Sequence, residues 1–259
     1  MEPVLLVERR AAVATLTLSR PATKNALTRE LVLELGRALA EVNDDESVRA
    51  VVLTGAGGDF CSGADLKAGM ADLGEISMET RIEEFHAVIR GMAHSKKAFV
   101  ARVDGAAVGF GADLALACDL RVLSTRAYLQ EKFVKIGLMP DGGGTFWLPR
   151  MIGMGRALEY LLLGEKIDSG RALELGLANR VVEPDALEPT AHALAEALAG
   201  GPPLALAQIR AAVRESFAGT IDEALVREKR GQLGLLASGD LMEGVMAWAQ
   251  KRAPDFKGR

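Results

Sequence analysis

The run VRAVVLTG at positions 48–55 is dense in valine and closes on a glycine. A strand of that composition has no polar face to offer water, so it belongs inside a sheet that is covered on both sides. From there the order repeats as strand, glycine-bearing loop, helix. KAFVARVDG (97–105), DLRVLST (119–125), AYLQEKF (127–133) and ANRVVEP (178–184) read as further strands. Upstream, residues 4–20 read as a hairpin turning at Arg9–Arg10, with Val13, Thr15 and Thr17 alternating against Ala14, Leu16 and Leu18. Thr28 is placed to cap a helix that carries Leu31, Leu35, Leu39 and Val42 on one face. LMPDGGGT (138–145) leads into one long helix through Leu163, and Ser169 caps a short helix stopped by Gly176. Beyond Asp185 the pattern is helical, interrupted at Gly200–Pro203. The expectation is an α/β protein with a strand–helix core over 1–200 and a helical module over 201–259. Ligand sites in such an arrangement lie where strands hand over to helices.

A length of 259 residues suits one large domain with an appendage. Lys+Arg 31 against Asp+Glu 35, with no dense basic block, argues against nucleic acid as a partner. Cys61 and Cys118 are too few for a disulfide framework and lack metal-ligand spacing, which fits a reducing cytoplasm. MEPVLLVERR reads as a strand rather than a signal peptide, and no uncharged apolar run approaches the ~18 residues of a membrane span. A soluble, cytoplasmic protein is expected.

Two glycine-bearing loops follow buried strands and precede helices: GAGGDFCSGADLK (55–67) and DGAAVGFGADLALACD (104–119). Neither fits the dinucleotide fingerprint, since Leu114 stands where a third glycine is required. There is no phosphate-binding GxxxxGK[ST] and no GxSxG, and His86, His94 and His192 lack zinc spacing. What remains is backbone amides and carboxylates. Two helix starts facing one carbonyl oxygen would stabilise a developing enolate; alternatively the glycines serve only as tight packing turns.

GAGGDFCSGADLK resembles the first oxyanion segment of the enoyl-CoA hydratase/isomerase (crotonase) superfamily. VDGAAVGFGADLALACDLRV is similar to its second, and IGLMPDGGGTFWLPRMIG to its third active-site loop. RPATKNALT (20–28) and the closing EGVMAWAQKRAPDFKGR also match, so the likeness spans essentially the whole chain. The resemblance implies a spiral of β-β-α units with a C-terminal helical trimerisation region, assembled as a homotrimer or homohexamer. It implies an acyl-coenzyme A thioester as substrate, no separate cofactor, and no metal. On matched positions the oxyanion amides belong to Ala64 and Phe110. Lys24 and Ala26 fall at the mouth of the coenzyme A site, Asp65, Leu66 and Lys67 beside the adenine, Phe133 at the acyl group, and Lys251 where it could reach a neighbouring subunit's ligand. Segment 70–95, with Ile82, Phe85, Val88, Ile89 and Met92 at helical spacing, would wall the acyl chain. His86 and His94 read as surface residues.

The family's hydratases use two glutamates. The first falls here on Asp113; the second, counted back from LMPDGGGT without a gap, falls on Phe133, with Glu131 two residues away. The hydratase pair is therefore broken as the chain stands. Asp141 within PDGGG resembles the arrangement of members that move a double bond, where one carboxylate takes a proton from one carbon and returns it to another. Phe133, Met139 and Phe146 would supply an apolar surround that strengthens such a base. Three readings follow: isomerisation with Asp141, hydration with Asp113, or an acyl-CoA-binding member without catalysis. Helix capping is the structural alternative for Asp141, and a buried hydrogen-bonded aspartate the one for Asp113.

Overall fold

The computed structural model describes residues 3–71 and 76–259. β1 (Leu5–Arg10) and β2 (Val13–Leu18) form the hairpin, antiparallel from Leu5↔Leu18 to Arg10↔Val13. The turn lies at Ala11–Ala12 instead of Arg9–Arg10, with Ala11 at φ 49°; both arginines stay in the strand, one ion-paired to Asp45 and the other to Glu196. β3 (Ala50–Gly55), β4 (Ala98–Val103), β6 (Leu120–Ser124) and β9 (Arg180–Val182) continue the sheet in the order β1-β2-β3-β4-β6-β9, each added parallel. A second sheet joins β5 (Ala106–Val108), β7 (Tyr128–Gln130) and β8 (Ile167–Asp168) in the order β5-β7-β8.

Alternate side chains of β2, β3 and β4 enter two separate cores, as expected of strands covered on both faces. On one face Leu16, Val51, Leu53 and Phe99 meet α1 (Arg29–Asp44), α3 (Met78–Ala93) and α4 (Phe110–Ala117). On the other, Val13, Ala50, Val52, Val100 and Val122 meet α8 (Pro184–Ala199) through Leu187, Ala191, Ala195 and Ala199. Those four recur every fourth residue, one stripe of a helix. Thr28 caps α1 as its sequence promised, its hydroxyl accepting the Leu31 N–H, and Leu31, Leu35, Leu39 and Val42 are all buried.

Three local expectations are corrected. The segment 127–133 leaves strand geometry after Gln130 and closes into a 3-10 turn at Phe133–Ile136. The long helix after the triple glycine is two, α5 (Gly144–Ile152) and α6 (Met154–Leu163), divided at Gly153 with φ 79°. α7 (Ser169–Glu174) is capped by Asp168, whose carboxylate accepts the Arg171 N–H at 2.8 Å; Ser169 turns its hydroxyl to the Thr125 carbonyl. α2 (Leu66–Ala71) precedes α3.

α9 (Pro203–Glu215), α10 (Ile221–Leu236) and α11 (Gly239–Gln250) form the C-terminal layer. α9 is bolted to the core by Arg210, whose guanidinium holds both oxygens of Asp119 at 2.7 Å and the carbonyls of Met92 and Ser95 at the end of α3. Arg214 adds a second bond to Asp119 at 2.8 Å. The rest of the layer leaves much apolar surface open, and Trp248 is 83% exposed. Among the described residues no helix is long and apolar enough to cross a membrane.

Candidate active site

Residues 60–64 and 106–110 run side by side, joined by the parallel bridge Cys61↔Ala107 and by the Val108 N–H on the Cys61 carbonyl at 2.9 Å. This pairing delivers two chain corners to one place. A Cβ built on Gly63 would stand 2.7 Å from the Val108 carbonyl oxygen and 3.6 Å from the Phe110 nitrogen. Gly109, at φ 55° and ψ −127°, makes the abrupt change from β5 into α4 that a side chain would resist. Among the described residues no backbone acceptor takes the N–H of Ala64 or of Phe110. Phe110 is also the first residue of α4, where amides point outward unpaired. Both expected oxyanion donors thus sit at the junction of these two segments, without a backbone acceptor among the described residues.

One turn further along α4, Asp113 is fully buried, its Oδ2 accepting the Gly142 N–H at 3.1 Å. The triple glycine lies directly over it. A Cβ on Gly142 would come 2.5 Å from the Cβ of Asp113. One on Gly144 would come 2.8 Å from Oε1 of Glu131 and 3.0 Å from Oδ1 of Asp113. The glycines therefore make room for carboxyl groups, and the group the ungapped count passed over, Glu131, is one of them. Glu131 is 3% exposed at the end of β7, whereas Phe133 has entered the 3-10 turn with its ring against Gly109. Asp141, half-buried, completes the cluster, and its Oδ1 has no partner among the described residues. It does not cap α5, whose start is formed by Gly143 with no side-chain cap.

Burial moves all three carboxyls upward. Asp113 is pushed up to about 8, by burial first and then by the Asp141 charge. Glu131 is raised well above its ordinary value by burial and then by Asp113. Asp141 is raised by burial, partly offset by His86. His86, expected at the surface, is instead half-buried on α3 and within electrostatic reach of Asp141; His94 is exposed as expected. Nothing in the helical spacing of α3 distinguishes the two.

The acyl-wall residues divide. Phe85 packs edge-on against Phe110, centroids 4.6 Å apart, while Val88 and Met92 sink into the core and Ile82 is exposed. Residues 72–75 of that segment lie outside the described residues. Met139 is 68% exposed and Phe146 turns to a groove of about 450 Å³ beside α9, so neither shields Asp141 as expected. Lys24, with φ 53°, is exposed and ion-paired to Asp59 at 3.3 Å, and Ala26 is buried beside it. Asp65 spends its carboxylate locally, on Arg20 at 3.0 Å and on the Ala68 N–H at the start of α2, which holds it below the usual range. Leu66 and Lys67 are exposed there. Lys251 ends α11 in the C-terminal layer, and its described hydrogen bond is to its own helix. Among the described residues no cluster of three or more His, Cys, Asp or Glu could hold a metal ion.

The family model described as enoyl-CoA hydratase/isomerase matches residues 8–259. A Rhodobacter capsulatus protein named "Probable enoyl-CoA hydratase" is 40% identical over 95% of both chains. The 1,2-epoxyphenylacetyl-CoA isomerase of Escherichia coli is 36% identical over the full length of each. The crystal structure of an enoyl-CoA hydratase from Bacillus anthracis superposes with a TM-score of 0.93 at 32% identity, covering 99% of this chain and all of that one.

Proposed function

Since the chain belongs to the enoyl-CoA hydratase/isomerase family and is an enzyme of that crotonase superfamily, we propose that it moves the double bond of an enoyl-CoA thioester with Asp141 as its single base. The thioester carbonyl takes the Ala64 and Phe110 N–H groups. Asp141, as carboxylate, removes a proton from the α carbon of a β,γ-enoyl chain; the electron pair moves onto the carbonyl oxygen as a dienolate. The same carboxyl then returns that proton to the γ carbon, which leaves an α,β-enoyl thioester. No atom is gained or lost, and no cofactor beyond the coenzyme A of the substrate is needed.

The observation that carries this reading is the exchange at Phe133. Phe133, its ring against Gly109, stands at the position matched to a hydratase's second carboxyl group, and the nearby Glu131 carboxyl is buried behind Gly144 against Asp113, so neither is placed to position water. Asp141, by contrast, is partly open, has an unpartnered oxygen, and is made more basic by its burial. Hydration by Asp113 is the second reading, favoured by its place on α4 beside the oxyanion corner. Its full burial behind Gly142 weighs against it.

The exposed apolar faces of α9–α11 support assembly of identical subunits, most simply a trimer, across the 201–259 layer. The paired test follows a 3-enoyl-CoA and crotonyl-CoA for double-bond migration and water addition. Migration should fall about 10²–10⁴-fold in Asp141→Asn, with coenzyme A affinity retained. Undiminished migration in that variant would sink the proposal, and hydration lost only in Asp113→Asn would favour the second reading.

A further inference from the structure

Four buried oxygens in the cluster have no donor among the described residues: Oδ1 of Asp113, both Oε atoms of Glu131 and Oδ1 of Asp141. Oε1 of Glu131 and Oδ1 of Asp113 converge over Gly144, whose missing side chain makes their approach possible. No salt bridge is formed to Asp113, Glu131 or Asp141 among the described residues. Two ionised carboxylates in that position would each forfeit hydration worth several kcal/mol and then repel one another. Protons resolve both problems, because an acid facing an acceptor makes a hydrogen bond where two anions cannot.

We propose that Glu131 and Asp113 form a proton-loaded acid pair behind Asp141, in which protonated Glu131 is a positioning residue that faces the Asp113 carboxyl as a hydrogen-bond donor, and the pair leaves Asp141 the only anion in the site. This deepens the isomerase reading and rests on it for its mechanistic consequence, but the pair itself does not. The groups that face it are few. Glu131 meets Asp113 and Asp141; Asp113 meets Asp141, Glu131 and the Gly142 amide, with the Gly144 amide also facing it; Asp141 alone has a facing group that favours its charge, His86 from α3. Half-open Asp141 ionises first; Asp113, whose anion the Gly142 amide stabilises, comes next, and Glu131, with no donor among the described residues, last. Once Asp113 loses its proton, a second negative charge stands beside Asp141 and close to the oxyanion corner. An enolate is harder to form there, so turnover falls on the alkaline side.

Infrared difference spectra of the substrate-free protein test the pair directly, through the carbonyl stretch of protonated carboxylic acids. At pH 7 one such band should vanish in Glu131→Gln, and a second, absent from Asp113→Asn, should disappear as pH rises through about 8. No protonated-acid band at pH 7, or a spectrum unmoved by Glu131→Gln, overturns the proposal. The pH profile of kcat/KM gives the second readout. An amide donates a weaker hydrogen bond to a carboxylate than an acid does, so Glu131→Gln should move the alkaline limb up, by up to about one pH unit. The acid limb belongs to Asp141 and should stay in place. An acid limb displaced downward would mean that Glu131 had been carrying a charge, and would also overturn the proposal. If instead Asp141→Asn leaves migration intact while the infrared bands behave as stated, the isomerase reading fails and the acid pair stands.

Discussion

Gly144→Ala is the most discriminating single change, because the same substitution elsewhere in the chain should act with the opposite sign. At position 144 the added methyl would lie 2.8 Å from Oε1 of Glu131, 3.0 Å from its Cδ and 3.0 Å from Oδ1 of Asp113. All three are well inside van der Waals contact, and both carboxyl groups are buried with nowhere polar to retreat. Overpacking of this kind costs about 1–3 kcal/mol. Relief from the higher helix propensity of alanine is small at the first residue of α5, where the helix has barely begun. Gly36, inside α1, has nothing within 4 Å of its would-be Cβ. Alanine there should stabilise by about 0.5–1 kcal/mol. For a chain of this size each kcal/mol shifts the melting temperature by about 2–4 °C. Thermal unfolding of the two variants beside the parent, at one protein concentration, should bracket it from below and above. A Gly144→Ala protein at least as stable as the parent would show that the carboxyl pair does not crowd this glycine, and the account of the triple glycine would fail with it.

Two further outcomes follow. Asp113 binds its proton more tightly folded than unfolded, so the unfolded chain releases it first as pH rises from about 4 to about 8, and stability falls across that window. Asp113→Asn should flatten this slope in denaturant titrations run between those pH values; an equally steep slope would remove Asp113 as its source. Arg210→Ala strips Asp119 of its bidentate partner and uncovers the Met92 and Ser95 carbonyls, at a cost of about 2–4 kcal/mol. Arg214→Ala, which breaks fewer bonds to the same carboxylate, should cost less; denaturation midpoints near the parent's for both variants would mean that α9 is held mainly by its apolar contacts.

The sheet and α1 were legible because their signals are local and redundant: consecutive valines, a fourfold leucine stripe, and a threonine one residue before it. The candidate ligand loops were legible through their glycines. What could not be read was decided by contacts distant in the chain. AYLQEKF has a strand's composition throughout, yet β8 pairs only with its first residues, and beyond them the backbone is free to coil. That early coil puts Glu131 in the cluster and Phe133 against Gly109, two residues out of step with a count made along an unbroken strand. Asp168 and Ser169 are both good caps; the choice fell to the one whose side chain was not already engaged by Thr125. His86 and His94 differ only in what faces them across space.

The strand pairing that assembles the proposed oxyanion corner also encloses a sulfur. Cys61 is inaccessible, its thiol rests on the Asn25 carbonyl at 3.2 Å, and burial pushes it up to about 12, so it has almost no thiolate character at neutral pH. Oxidants and alkylating agents can reach it only when residues 60–64 lose their packing against Asn25 or against 106–111. The corner thus carries its own tell-tale: a modified Cys61 is the mark of a molecule in which the packing around the two amide donors had already opened.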